Sequence, residues 1–228
     1  MALTSEQVLG WSRVCVLLLG MGWAAWMDHK TRRVKNDHWM VWVKPAIFLW
    51  VLELIAREAD WTIYLTASAV VAYASVAIIG RPTFSDIRSG NKLDLTVAMW
   101  YFVSIVGVVV GFSKYGDVDL LDVVLGDAVG MTALYWSTLS GLLVIFVIDL
   151  GWRLRMIHGG ADAKALMWVA ILVPNWSTMP VIMDYGEDIV LSLPPAISLL
   201  MWGGFSFLFI PFILMLKNLS QGSVKSLR

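Results

Sequence analysis

The sequence predicts an all-α fold: a polytopic transmembrane helical bundle of about six to seven spans. Three observations carry this. First, hydrophobic residues make up 59% of the 228, charged residues only 15%, and mean hydropathy is +0.74. Soluble domains run about 45–50% apolar and about 25% charged. Second, the apolar residues recur in stretches near the ~20 residues that a helix needs to cross lipid. They are too long and too continuously apolar for barrel strands, and only helices or closed barrels satisfy their backbone inside a bilayer. Third, the charges gather between these stretches, in loops that alternate in sign.

The elements follow in order. Candidate spans lie at 8–27, 39–56, 61–80, 96–112, 129–150, 163–183 and 195–216. The first lacks a basic n-region and runs into Trp23, Trp26 and a charged cluster, so it is expected to be a retained span rather than a cleaved signal peptide. Its Cys15 is the single cysteine, which excludes a disulfide framework and a tetrathiolate zinc site and fits a small apolar side chain. Lys44 and Glu53 fall within the second span and are expected to snorkel from its ends. The segment "SKYGDVDLLDVVLGDA" reads as an extracytoplasmic loop or short amphipathic helix, and "NLSQGSVKSLR" as a short flexible tail. No internal repeat is evident.

Loop charge sets the expected orientation. Lys30, Arg32, Arg33 and Lys35 follow the first span; Arg81, Arg88 and Lys92 the third; Arg153 and Arg155 the fifth; Lys217, Lys225 and Arg228 the seventh. The intervening loops carry Glu58 and Asp60, then Asp117, Asp119, Asp122 and Asp127, then Asp184, Glu187 and Asp188. Basic loops mark the cytoplasm, so the N-terminus is expected outside and the C-terminus inside. Trp39, Trp42, Trp61, Trp136 and Trp176 sit near span ends, as interfacial aromatics do. Net charge is zero and the basic residues are few and scattered, which gives no argument for nucleic-acid binding.

Within this pattern two acids stand out. Asp28 ends the first span, and Asp162 opens the sixth after the break "HGGAD". Four crossings separate them, an even number, so both fall on the same side, expected to be cytoplasmic. Asp162 also fits a plain N-cap, with Gly159-Gly160 as an ordinary turn. Two carboxylates held close do not both ionise easily and share a proton. One then activates water as general base while the other donates to the substrate carbonyl. This chemistry needs no metal, no cofactor and no covalent intermediate. Glycines at 159 and 160 would let the backbone approach an extended substrate.

"GGADAKAL" resembles the Gly-x-Gly-Asp motif of the type IV prepilin peptidases and archaeal preflagellin peptidases, with Gly159, Gly160, Ala161 and Asp162 in the motif and Lys164, Ala165 and Leu166 after it. "MDHKTRRVKNDHW" resembles the family's first catalytic segment, with Asp28 leading a basic cluster and Asn36 where Asn or Asp is frequent. "MWVAILVPNW" and "GGFSFLFIPFILMLKNLSQG" are similar to later family segments, and these patches together cover about a third of the chain. The resemblance implies catalytic Asp28 and Asp162, with Gly159, Gly160, Ala161 and Lys164 as substrate-binding or motif support. It implies a single integral membrane protease domain, 1–228, at the cell membrane with its active site at the cytoplasmic face. The implied substrates are precursors of pilin-like or flagellin-like subunits, which lose a short basic leader. Ala161 departs from the motif's second glycine. The aspartates are farther apart in sequence than in archaeal members, as if a helical hairpin and extracytoplasmic loop were inserted around 61–127. The cysteine-rich zinc domain of the bifunctional bacterial members has no counterpart, so methylation is not implied. Arg32, Arg33 and Lys35 are assigned to topology and anionic headgroups, while Asp37 or Asp86 are candidates to meet the basic leader.

Other readings compete. Asp149, in "FVIDLGWRLRM", is a third acid whose expected role is an i,i+4 pair with Arg153. His29 beside Asp28 and His158 before Asp162 raise a zinc site, but their spacing matches no ligand motif. Transporters and channels place broken helices and charges at the midplane. A non-proteolytic scaffold would need neither the glycines nor two acids on one side. A presenilin-like intramembrane protease would carry its first aspartate in a late helix.

Overall fold

The structure is a computed structural model that describes residues 4–80, 92–125, 127–180 and 194–220, with positions 83, 85 and 88 between the first two segments and backbone alone at 79 and 124. Arg81, Asp86, Asp184, Glu187, Asp188, Lys225 and Arg228, which figured in the loop-charge and leader expectations, lie outside the described residues.

The described chain is helical. Helix α1 (Ser5–Thr31) opens with a capping box in which Thr4 and Gln7 satisfy each other's backbone N–H groups, and it closes at Arg32 in the left-handed conformation, φ 55°. Helix α2 (Asn36–Ala56) carries Pro45 within it. Helix α3 (Trp61–Ile79) is capped by Asp60, whose carboxylate accepts from the Thr62 N–H at 2.9 Å. Then come α4 (Lys92–Tyr115), the short α5 (Leu120–Leu125), α6 (Gly130–Arg153), α7 (Gly160–Leu172), a 3₁₀ turn (Trp176–Thr178) and α8 (Pro195–Ser220). Six of these, α1, α2, α3, α4, α6 and α8, are long and apolar enough to cross a membrane.

Helix α7 is different. Its 13 residues make about 20 Å at 1.5 Å per residue, short of a ~30 Å hydrocarbon core. The expected span at 163–183 is therefore shorter in its described part. The helix stops at Val173, because Pro174 supplies no N–H and disfavours helix before it. It is also the most enclosed element: Ala163 and Leu166 through Leu172 are all buried. Helices α1, α2, α3 and α6 pack around it. At the other extreme, α8 meets α7 near buried Pro195 and Ala196, and from Met201 onward every described side chain is exposed, as a lipid-facing helix requires.

Close approach of α1 to α7 depends on Gly20. A Cβ there would lie 2.6 Å from the Trp168 ring and 3.2 Å from Trp42. The Gly20 carbonyl also meets His38 Nε2 at 3.1 Å, and Trp168 Nε1 donates to the Trp42 carbonyl at 2.8 Å, so α1, α2 and α7 are tied at one level. One end of this trio is held by charge. Arg13, 1% exposed, donates to Glu53 at 2.6 Å and to the Leu49 and Thr178 carbonyls. Arg57 adds a second contact to Glu53 at 3.2 Å. Glu53 therefore does not snorkel: it is buried because a guanidinium from α1 compensates its charge.

Candidate active site at one end of the bundle

The site is built from three chain segments. The first is the end of α1. Asp28 lies in its last turns, exposed, and its carbonyl accepts from the Arg32 N–H at 2.8 Å. Thr31 Oγ1 lies 2.9 Å from both the Met27 and the Arg33 carbonyls, and its single hydroxyl proton is donated to one or the other at the helix exit. The second is the start of α2 at Asn36. The third is the α6–α7 connection. There the Met156 and Ile157 N–H groups both donate to the Gly151 carbonyl, at 2.8 and 3.1 Å, and Arg155 takes φ 61°. Buried Ile157 folds back on Gly151 and aims the chain into α7.

Gly159 is the N-cap of α7, with ordinary extended backbone, and helix begins at Gly160. Asp162 thus sits in the first turn, where the helix dipole favours a carboxylate, rather than at the cap. Residues 159, 160 and 161 all have negative φ, so Ala161 departs from the glycine motif without backbone strain. What glycine supplies at 159 is room. The Asp162 carboxylate folds over that Cα, and a Cβ would collide with its Oδ2. At 160 a Cβ would press the Trp152 ring at 3.2 Å.

Lys164 joins the segments. Its Nζ donates to Asn36 Oδ1 at 2.8 Å and lies 5.7 Å from the Trp152 ring centroid. The start of α7, the start of α2 and the end of α6 therefore converge. Helix register brings in Asp28. With Gly20 opposite Trp168 and α1 antiparallel to α7, eight residues forward from Gly20 reaches Asp28 and eight back from Trp168 reaches Gly160. Both are steps of about 12 Å along the axis, so Asp28 is level with the first turn of α7 that carries Asp162. Four of the six candidate spans separate the two, as the even count required. Among the described residues neither carboxylate has a hydrogen-bond or ion-pair partner, and both are exposed.

Asp149 behaves otherwise. It is buried, accepts from Arg153 Nε at 2.8 Å, the expected i,i+4 pair, and accepts from Tyr73 OH at 3.0 Å. His29 and His158 are exposed, and among the described residues no three His, Cys, Asp or Glu side chains gather as a metal site. Sequence reasoning missed Trp152 and Tyr73; each is an apolar-looking aromatic within or beside a span, without a spacing signal.

Over 140 residues the chain is 27% identical to a preflagellin peptidase of Methanococcus maripaludis, a match covering 60% of this chain and 54% of that protein. This supports the preflagellin peptidase family. The match spans about half of that relative's length. No family model and no solved structure matches the chain.

Proposed function

We propose that the chain is a membrane-embedded aspartyl endopeptidase that removes the short basic leader from flagellin-like or pilin-like precursors. Asp28 and Asp162 would direct a water at the scissile carbonyl, one carboxylate as base and the other, protonated, as acid. The observation that carries this reading is the register that sets Asp28 level with the first turn of α7, at the end where Lys164 and Asn36 clasp. The similarity to a preflagellin peptidase supports the substrate class. The basic loops support a cytoplasmic active site. The mechanism does not need the two carboxylates in contact in the free enzyme, since catalytic geometry often tightens only with substrate bound. Asp37, exposed in the first turn of α2, would meet a basic leader. Region 61–127 would be an insertion that preserves sidedness, since it contributes two candidate spans, α3 and α4.

The test is cleavage of a preflagellin-type precursor in membranes by wild type, Asp28→Asn, Asp162→Asn and Asp149→Asn, with and without a chelator. Loss of cutting in the first two alone, insensitive to the chelator, is expected. Cutting that survives in both Asn variants would end the reading.

A further inference from the structure

A second feature lies near the same end of the bundle but on another face. A cleft of about 390 Å³ opens between α2, α3, α4 and α7. Its walls are apolar, formed by side chains such as Trp39, Ala77, Trp100 and Trp168, and its two charged lining residues are Lys44 and Lys164. No acid lines it among the described residues. Lys164 has the neutral Asn36 amide and a Trp152 face as partners. Lys44 is exposed and, among the described residues, makes no hydrogen bond or ion pair. The cleft thus combines an apolar wall with two cations and, among the described residues, no carboxylate, and a cation at membrane depth is costly without a counter-charge.

We propose that this cleft binds an anionic phospholipid, with one acyl chain along the apolar wall and the phosphate held by the Lys44 and Lys164 ammonium groups. Depth fits this orientation. Lys164 lies four residues into α7 and Lys44 eight residues into α2, about 6 and 12 Å from the helix starts, and the lysine stem lets its ammonium rise toward the interface. Charge selects the occupant: two lysines and, among the described residues, no acid line the cleft, which favours an anionic headgroup and opposes a basic leader. Lys164 is shared with the candidate active site and the other lining residues named here are not, so lipid binding can be read whether or not the chain cuts precursors.

The experiment presents the purified full chain with equal amounts of phosphatidylglycerol and phosphatidylcholine of identical chains and counts retained lipid by native mass spectrometry. Wild type should retain the anionic lipid preferentially. Lys44→Gln should lower that preference about five-fold, the effect of one cation near a headgroup. Ala77→Phe, which narrows the cleft without touching charge, should lower retention of both lipids. No preference in wild type, or a preference unchanged in Lys44→Gln, overturns the proposal and points to annular binding at Arg32, Arg33 and Lys35. Unchanged retention in Ala77→Phe overturns the placement of the acyl chain. Should Ala77→Phe fail to fold, Lys44→Gln decides alone.

Discussion

Two sets of acidic side chains lie in this bundle, and they are held in opposite ways. Glu53, Asp60 and Asp149 each carry a cationic partner within 3.2 Å: Arg13 and Arg57, Lys114, and Arg153. Each joins helices or finishes one. Asp28 and Asp162 have no such partner among the described residues, and both are exposed. A carboxylate bridged to a cation is held in place by that contact, whereas Asp28 and Asp162 are open to solvent.

The largest expected effect comes from neutralising the free set. Asp28→Asn or Asp162→Asn should cut leader removal by about 10²–10⁴-fold or more while leaving the thermal midpoint in detergent within error. A large fall in that midpoint would mean that these acids belong with the structural set. Next is the buried pair. Glu53→Gln leaves the Arg13 guanidinium enclosed without its counter-charge, at a cost of about 3–5 kcal/mol, read by denaturation in mixed micelles. Replacing both, Arg13→Met with Glu53→Leu, should recover most of that loss; failure to recover would show that the carbonyl contacts of Arg13, not the ion pair, hold the ends of α1 and α2.

Smaller effects sharpen the comparison. Gly159→Ala should displace the Asp162 carboxylate and lower kcat about ten-fold or more, since ångström-scale misplacement costs up to about 10²-fold, with stability nearly unchanged. Ala161→Gly should stay close to wild type, because φ at 161 is already ordinary. Asp149→Asn should retain cutting and lose about 1 kcal/mol of stability, the order expected for a weakened hydrogen bond. The smallest effect is a pH dependence. Lys114 Nζ at 2.6 Å and the Thr62 N–H hold the Asp60 carboxyl down to about 2. A depressed folded value contributes stability above the unfolded carboxylate range, and that contribution is lost as pH falls from about 4 to about 2. Exposure of Lys114 makes the contribution slight. Stability of Lys114→Met should be flatter over that window; an identical slope would remove Asp60 from the paired set.

Much of this was legible in the chain. Hydropathy located the six helices that are, among the described residues, long and apolar enough to span, together with a seventh stretch that forms the short α7, since the lipid requirement acts locally on composition. The Asp149–Arg153 pair was readable because i,i+4 neighbours share a helix face. The motif, the glycines and the even number of crossings singled out Asp28 and Asp162, whose catalytic role is a proposal. Glu53 was not. Its expected fate, snorkelling, followed from its own helix, whereas its partner Arg13 is 40 residues away on another. Trp152 and Tyr73 were missed for the same reason.

The sequence by itself determined the class of fold and the order of the long apolar helices, because burial in lipid depends on residues taken along the chain. Only the tertiary structure decided that α7 is a short, enclosed helix rather than a lipid-exposed span, that Gly159 serves the Asp162 carboxylate by lacking a Cβ, and that Lys164 reaches Asn36 across 128 residues. These are matters of close approach between distant segments. Each depends on which side chains meet in space, and no local preference of the backbone encodes that.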